Sequence, residues 1–476
     1  MELLVAWENI NLMINKILHI GWWTSEYRGG GSILHVETLM EFLKRDGMQN
    51  YYFCGGRYNL LYPKPYIKVW FKDYTTIFEL VNSPNLIWSF GNPEVHIKQK
   101  EIENNFLKVV NRVKPDVIHF HELESLTGSL LLLSRNLNIP YILDIHNYWY
   151  LCPQRDLMDM NNKICDDWEE GKKCASCLVL PTSSKVGWMY VGYLSNTWIH
   201  KIFNNLIKIA HKKRIKKEKI RKTIANTNHI STYKARRYFF ISELNKVNAI
   251  IYPSKRAMEL YKTYGVENQN NYVKLPINKN YLNILAKPYK NIPPTNVRFG
   301  YIGSILPHKG IHILIEAFNM IIKEKGEKCQ LLIYGSGDSV YEEELKRKCR
   351  KNIFFKGKYL PSQINEVLKN IDVAVIPSLW EDCSPIVLNE LKLSRTPIIG
   401  SRIGGIEEAI NHGVDGYLFT PGNIVELSGY MNELIENPLK IRQFMERINF
   451  SFNIDNYINQ IKEIYSLAYE NNRKDK

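Results

Sequence analysis

The chain has 476 residues, 45% of them apolar, and a net charge of +15. That length supports two or three domains with ample core, and the apolar share is ordinary for a globular protein. No apolar run approaches the ~18 residues that a membrane-spanning helix requires, and no short-period repeat marks a solenoid.

The first residues include Glu2 and Glu8 and show no signal peptide, so a cytoplasmic protein is expected. Residues 1–12 are expected to add little to the fold, with Met13 an alternative start. Lys16–Gly21 reads as the first strand. Gly29, Gly30 and Gly31 make a tight loop, and the last two let the backbone come close to a ligand before a helix begins. That helix places Val36, Leu39, Met40 and Leu43 at core spacing and stops at Gly47. Asp116–His121 and Tyr141–His146 read as further strands ending in polar residues. His119, His121 and Glu122 are expected at the edge of a cleft, and His146 at the carboxyl end of its strand.

Four of the eight cysteines cluster at Cys152, Cys165, Cys174 and Cys177. Cys174 and Cys177 have metal-pair spacing, and Cys152 and Cys165 complete a tetrahedral set, so a structural zinc stands against free thiols or a redox pair. A cytoplasmic setting disfavours disulfides. Cys54, Cys329, Cys349 and Cys383 are scattered and read as buried apolar cysteines.

The positive charge is local. Between Lys201 and Phe240 stand thirteen Lys or Arg and one acid, Glu218, so this segment supplies +12 of the +15 and leaves about +3 elsewhere. Just upstream, Ile199, Ile202, Phe203, Leu206, Ile209 and Ala210 share one helical face, preceded by Trp188, Tyr190, Tyr193 and Trp198. An apolar stripe, aromatics and a basic end over residues 188–240 suit a helix lying on an anionic bilayer, rather than a nucleic-acid site; the alternative is a core-packed helix followed by a solvated charged one.

Ala249–Ser254 reads as the last strand of the first unit. A proline-rich linker around Leu275–Thr295 follows. In the second half, Phe299–Gly303, Gln330–Tyr334, Val373–Ile376 and Pro397–Gly400 are strands between helices. The alternation argues for α/β architecture: two Rossmann-like, doubly wound domains facing across a cleft, residues 1–275 and 276–450. Residues 451–476 form a terminal piece.

Pro377 ends the buried strand Val373–Ile376. Ser384 is placed as N-cap and Pro385 as first residue of a helix running to about Ser394. Pro385 has no N–H, so Ile386 and Val387 carry the free donors of the first turn. A bare helix start at the carboxyl end of a parallel strand suits a phosphate. Asp382 lies just before it, and Glu390 roughly 8 Å beyond it at 1.5 Å per residue. Two acids flanking a phosphate site describe a nucleotide diphosphate sugar. Lys309 follows the turn Gly303-Ser304 and can neutralise a diphosphate; the spacing excludes a P-loop. Gly335, in Gly335-Ser336-Gly337, ends another strand and is a further candidate to approach the nucleotide.

The pattern Asp382-x7-Glu390, with the Ser-Pro helix start and Gly404-Gly405 downstream, resembles the retaining family-4 glycosyltransferases of the GT-B fold, of bacterial surface-polysaccharide type, over roughly residues 16–450. That family usually has Glu first, so Asp382 is a departure and Glu381 is the alternative equivalent. It also commonly has Arg where Ser304 stands, which leaves Lys309 as one cation where two are usual, with His308 as a partial substitute. The resemblance implies that the Gly30-Gly31 loop touches the donor phosphate or the acceptor and that His146 lines the reaction centre near the donor sugar. It implies catalysis without a divalent metal and a terminal helix that crosses back to the first domain. The Trp149-x-x-Cys152-Pro153 segment is similar to the one preceding the cysteines in some members. The expected function is transfer of a sugar from a nucleotide diphosphate sugar to an acceptor hydroxyl, with retention. With a membrane-facing basic helix the expected acceptor is a lipid-linked saccharide at the inner face of the cell membrane. The alternatives are a nucleotide-sugar epimerase on the same fold and a membrane-binding protein with a degenerate site. The base, the sugar and the acceptor differ by contacts below the resolution of one sequence.

Overall fold

A computed structural model describes residues 14–26, 30–57, 59, 62, 64–73, 75–85, 93–159, 163–177, 230–288, 296–325 and 328–474. Two sheets organise them. The first contains β1 (Lys16–Gly21), β2 (Gln49–Gly55), β3 (Tyr66–Lys72), β4 (Thr75–Val81), β5 (Val117–Phe120), β6 (Tyr141–Asp144), β7 (Ala249–Tyr252) and β8 (Asn271–Val273). Their order is β3-β4-β2-β1-β5-β6-β7-β8. The second contains β9 (Val297–Ile302), β10 (Cys329–Tyr334), β11 (Ile353–Gly357), β12 (Val373–Ile376), β13 (Ile398–Ser401) and β14 (Gly416–Phe419), in the order β11-β10-β9-β12-β13-β14.

All pairings are parallel except β3 with β4. Parallel strands covered on both faces read as continuous apolar runs, and β5, β6, β7 and β12 are buried at every position. Two sequence expectations change here. The antiparallel β3–β4 edge was not foreseen, and β8, not β7, closes the first sheet. β8 is three half-buried residues and has no apolar run to announce it.

In each sheet the strand order reverses beside the first strand of that half, between β1 and β5 and between β9 and β12. Loops leaving the carboxyl ends of strands at such a switch point diverge and open a crevice. The terminal helix Ile454–Lys474 lies on the first sheet. Tyr457, Ile458, Ile461, Ile464, Tyr465 and Ala468 form one stripe, buried with Ile17 of β1, Val117 of β5 and Ile142 of β6. The last helix therefore packs on the first unit. No described helix is long and apolar enough to cross a membrane.

Candidate active site

The loops after β9 and β12 meet at the second switch point. The short turn Pro307–Lys309 sets the Lys309 ammonium against the Asp382 carboxylate and 4.9 Å from the centre of the Trp380 ring. Glu381 points the other way, to Arg256 of the first unit at 2.6 Å. Adjacent acids thus do different work, and it is Asp382, not Glu381, that faces the cation. The loop is shaped by Gly404, whose φ of +59° is left-handed and whose added Cβ would lie 2.3 Å from the Asp382 carbonyl oxygen. The next residue, Gly405, donates its N–H to that oxygen at 2.8 Å.

The helix opens one residue later than expected. It spans Ile386–Leu393 with Pro385 as cap and no side-chain capping hydrogen bond, so Ser384 sits outside the cap position. The amides of Ile386 and Val387 are the uncapped donors of the first turn, and residues 384–387 are half-buried. Across from them stands the first unit: a Cβ on Gly31 would lie 3.1 Å from Ile386 Cδ1. Gly31, the first residue of helix Gly31–Arg45, therefore faces this helix end, with Gly30 as its cap residue.

Glu390 lies on the same helix and is buried. Asn278 Nδ2 donates to Glu390 Oε1 at 3.0 Å. Burial pushes its carboxyl up to about 7, against the hydrogen bonds from Asn280 and Asn278. Ser304 is exposed, and its carbonyl accepts from the Tyr301 hydroxyl at 2.7 Å. His308 does not supply a second cation: burial, then the charges of Lys309 and Arg155, lower it to about 4. Gly335 has its own packing reason, since a Cβ there would sit 1.8 Å from the Gly303 carbonyl oxygen.

In the first unit His146 stands two residues past β6, with Nε2 4.0 Å from Asp144 Oδ2. Burial lowers its imidazole to about 4, outweighing the pull of Asp144. His119 and His121, expected at the cleft edge, are interior. They follow the inward phase of β5 and join His19 and His35; His119 Nδ1 meets the Tyr465 hydroxyl at 2.9 Å. Burial lowers both. Glu122, named with them in the sequence, belongs to a polar group whose other members, Glu124, Asn147, Ser32 and Arg155, sequence reasoning missed. Asn147 Nδ2 donates to Glu122 at 2.9 Å and to Glu124 at 3.1 Å, Ser32 Oγ donates to Glu122, and Arg155 reaches Glu124 at 3.3 Å. Two acids flanking Leu123 just after a strand, Glu122 and Glu124, were the available signal.

Cys152, Cys165, Cys174 and Cys177 line one pocket with Gln154 and Arg237. All are free thiols, and no three of their sulfurs lie within 4.8 Å of one another. Burial pushes the Cys152 thiol up to about 12. A closed tetrahedral zinc at ~2.3 Å from each sulfur needs a tighter set, so the donor chemistry fits zinc while the spacing is wider than a bound site.

Residues 188–229 of the basic segment lie outside the described residues, and with them the amphipathic stripe. Its end is helix Ile230–Leu244, where two cations are structural rather than surface charges. Arg236 is buried, donates to Trp149 O at 2.6 Å and His96 Nδ1 at 3.0 Å, and stacks on Trp149 and Phe240. Arg237 donates to Leu151 O at 2.9 Å and stacks on Trp168. They pin the loop that carries the cysteines. Their planar guanidinium groups can stack and bond several carbonyls at once, which is why they are tolerated inside.

Two doubly wound α/β units, each with a switch point opening toward the other, make this a GT-B fold. Residues 286–449 match the family model for glycosyl transferases group 1. An uncharacterized glycosyltransferase of Methanocaldococcus jannaschii is 27% identical over 177 residues, 36% of this chain and 45% of that protein. The poly(ribitol-phosphate) alpha-N-acetylglucosaminyltransferase of Staphylococcus aureus is 24% identical over 230 residues, 46% of this chain and 43% of that protein. The matches thus span less than half the length of these relatives. Among solved structures, HepE of Anabaena in complex with UDP and glucose superposes with a TM-score of 0.58 at 17% identity, covering 95% of this chain and 99% of that one.

Proposed function

We propose that the protein is a retaining glycosyltransferase, transferring a sugar from a nucleotide diphosphate sugar to an acceptor hydroxyl. The observation that carries this is the convergence of Lys309, Asp382, the uncapped Ile386 and Val387 amides and the Gly30-Gly31 loop at one interdomain position. Negative charge develops on the leaving diphosphate as the glycosidic bond breaks. Fixed donors aimed at that charge stabilise the transition state more than the ground state. Lys309 must leave Asp382 to meet the diphosphate, which frees the carboxylate to accept from donor-sugar hydroxyls. Glu390 accepts from the ribose hydroxyls, and His146 positions the donor sugar. No divalent metal is required for this step. Domain closure excludes water and suppresses hydrolysis. The group 1 match over 286–449 and the UDP held by the HepE structure support the donor class.

The acceptor we propose is a lipid-linked saccharide of cell-surface polysaccharide assembly, met at the inner face of the membrane by the basic segment of residues 201–240. The support is the local charge of +12, of which +10 remains once the buried Arg236 and Arg237 are set aside. A structural zinc on Cys152, Cys165, Cys174 and Cys177, supported by their shared pocket, belongs to the same proposal.

The test is transfer of labelled sugar from a panel of nucleotide sugars into membrane lipid extract, with Asp382→Ala and Lys309→Ala as controls. The proposal expects labelled lipid product and a loss of about 10²–10³ in each variant. Unchanged transfer in both variants overturns the site, and release of free sugar without acceptor favours an epimerase.

A further inference from the structure

We propose that His121, Asp144 and His146 bind a divalent transition-metal ion at the carboxyl ends of β5 and β6. His121 Nδ1 and His146 Nε2 lie 3.8 Å and 4.0 Å from Asp144 Oδ2. His35, His121, Asp144 and His146 each offer one ligand atom, and those atoms all lie within 4.8 Å of one another. Zinc held at ~2.0–2.2 Å by each ligand sets neighbouring donors about 3.3–3.5 Å apart, so the two His–Asp separations each exceed a bound geometry by about half an ångström.

The hydrogen-bond network assigns where the protons sit. Asn50 Nδ2 donates to the carbonyls of Met40 and Met48, both at 3.2 Å. That leaves Asn50 Oδ1 to accept from His19 Nε2–H at 2.9 Å. In the neutral ring, His19 Nδ1 then carries a lone pair and accepts from His121 Nε2–H at 3.1 Å. His121 Nδ1 is consequently a lone pair as well, and it faces a carboxylate oxygen. Neither atom has a hydrogen to offer the other. His121 Nδ1 and His146 Nε2 are both buried with no hydrogen-bond partner among the described residues. His121 Nδ1 is thus a buried acceptor without a donor, facing a second acceptor in Asp144 Oδ2, which is costly. A divalent cation between them satisfies all three atoms.

His35 takes a different part. Its Nδ1 accepts from the Ile277 N–H at 2.9 Å, so its Nε2 bears the hydrogen and donates to Asp144 Oδ2 at 2.8 Å. It orients the carboxylate without being a ligand, and His19 does the same for His121. Such outer partners fix ligand orientation around metal ions. The neighbouring trio His19, His119 and His121 is not a second site, because His19 Nδ1 is already taken by His121. Two imidazoles and one carboxylate suit Zn²⁺, Fe²⁺ or Co²⁺ rather than Mg²⁺ or Ca²⁺. The proposal shares His146 with the transferase assignment, but it rests on proton positions and not on sugar chemistry, and Co²⁺ uptake is read without any sugar transfer.

The full chain, stripped with chelator and titrated with Co²⁺, tests it. One equivalent should bind with visible ligand-field bands that are unaccompanied by thiolate charge transfer, which separates this ion from any held by the cysteine cluster. Pulsed EPR after loading with Cu²⁺ should count two imidazole nitrogens. Asp144→Asn and His121→Gln should each weaken Co²⁺ binding at least tenfold, with circular dichroism reporting the fold. No uptake, uptake seen only with thiolate bands, or unchanged affinity in both folded variants overturns the proposal. If both variants unfold, the nitrogen count on the wild-type chain decides alone.

Discussion

Replacing Glu390 with glutamine should remove the pH dependence that this one residue imposes. Its carboxyl has an ordinary value of 4.5 and is pushed up to about 7 by burial. Between those values the folded state holds a proton that the unfolded chain has released, so folding stability falls as pH rises through this window. The loss is at most 2.5 pH units at 1.36 kcal/mol each, about 3 kcal/mol at pH 8. The glutamine side chain would keep an oxygen for Asn278 Nδ2 and carry no charge to desolvate. Urea unfolding of both proteins at pH 5, 6, 7 and 8, followed by tryptophan fluorescence, should show the variant gaining about 2.5 kcal/mol on wild type from pH 5 to pH 8. The same variant should bind a nucleoside diphosphate more weakly, because an amide nitrogen meets one ribose hydroxyl where a carboxylate oxygen stood. Parallel stability curves would refute the reasoning: Glu390 would then be ionised in the fold without cost.

Three further outcomes follow from particular contacts. Arg236→Ala removes donors from the Trp149 and Tyr150 carbonyls and His96, and should destabilise the protein by about 3–5 kcal/mol in denaturant unfolding. Gly404→Ala places a methyl 2.3 Å from the Asp382 carbonyl at a positive φ, so the acid loop must shift, and sugar transfer should fall about 10²-fold in a steady-state assay with folding retained. Reversing charge at Lys212, Lys213 and Arg214 should abolish pelleting with anionic liposomes while leaving binding to neutral ones unchanged; equal pelleting would remove the membrane from the account.

The alternation of apolar strands with helical spacing made the two α/β units legible, because parallel strands buried on both faces leave uninterrupted apolar runs such as Val373–Ile376. The helix start after Pro377 was legible for the same reason, although its cap moved from Ser384 to Pro385. What sequence could not give was direction across space. Asp382 and Glu381 are neighbours in the chain and point to opposite partners, Lys309 and Arg256. His119 and His121 looked like cleft residues because they end a strand, yet β5 turns them inward among other histidines. Arg236 and Arg237 read as surface charge because Arg usually is, and here aromatic faces and free carbonyls hold them inside. The edge strand β3 escaped because it is half-exposed and lysines interrupt its apolar residues.

Calorimetric titration with UDP and with uridine tests the central claim, that the Ser384–Val387 helix opening and Lys309 grip a pyrophosphate. The account predicts that UDP binds at least 10²-fold more tightly than uridine, and that Lys309→Ala removes most of that difference while leaving uridine binding unchanged. Equal affinities for the two ligands, or a difference untouched by Lys309→Ala, would contradict it.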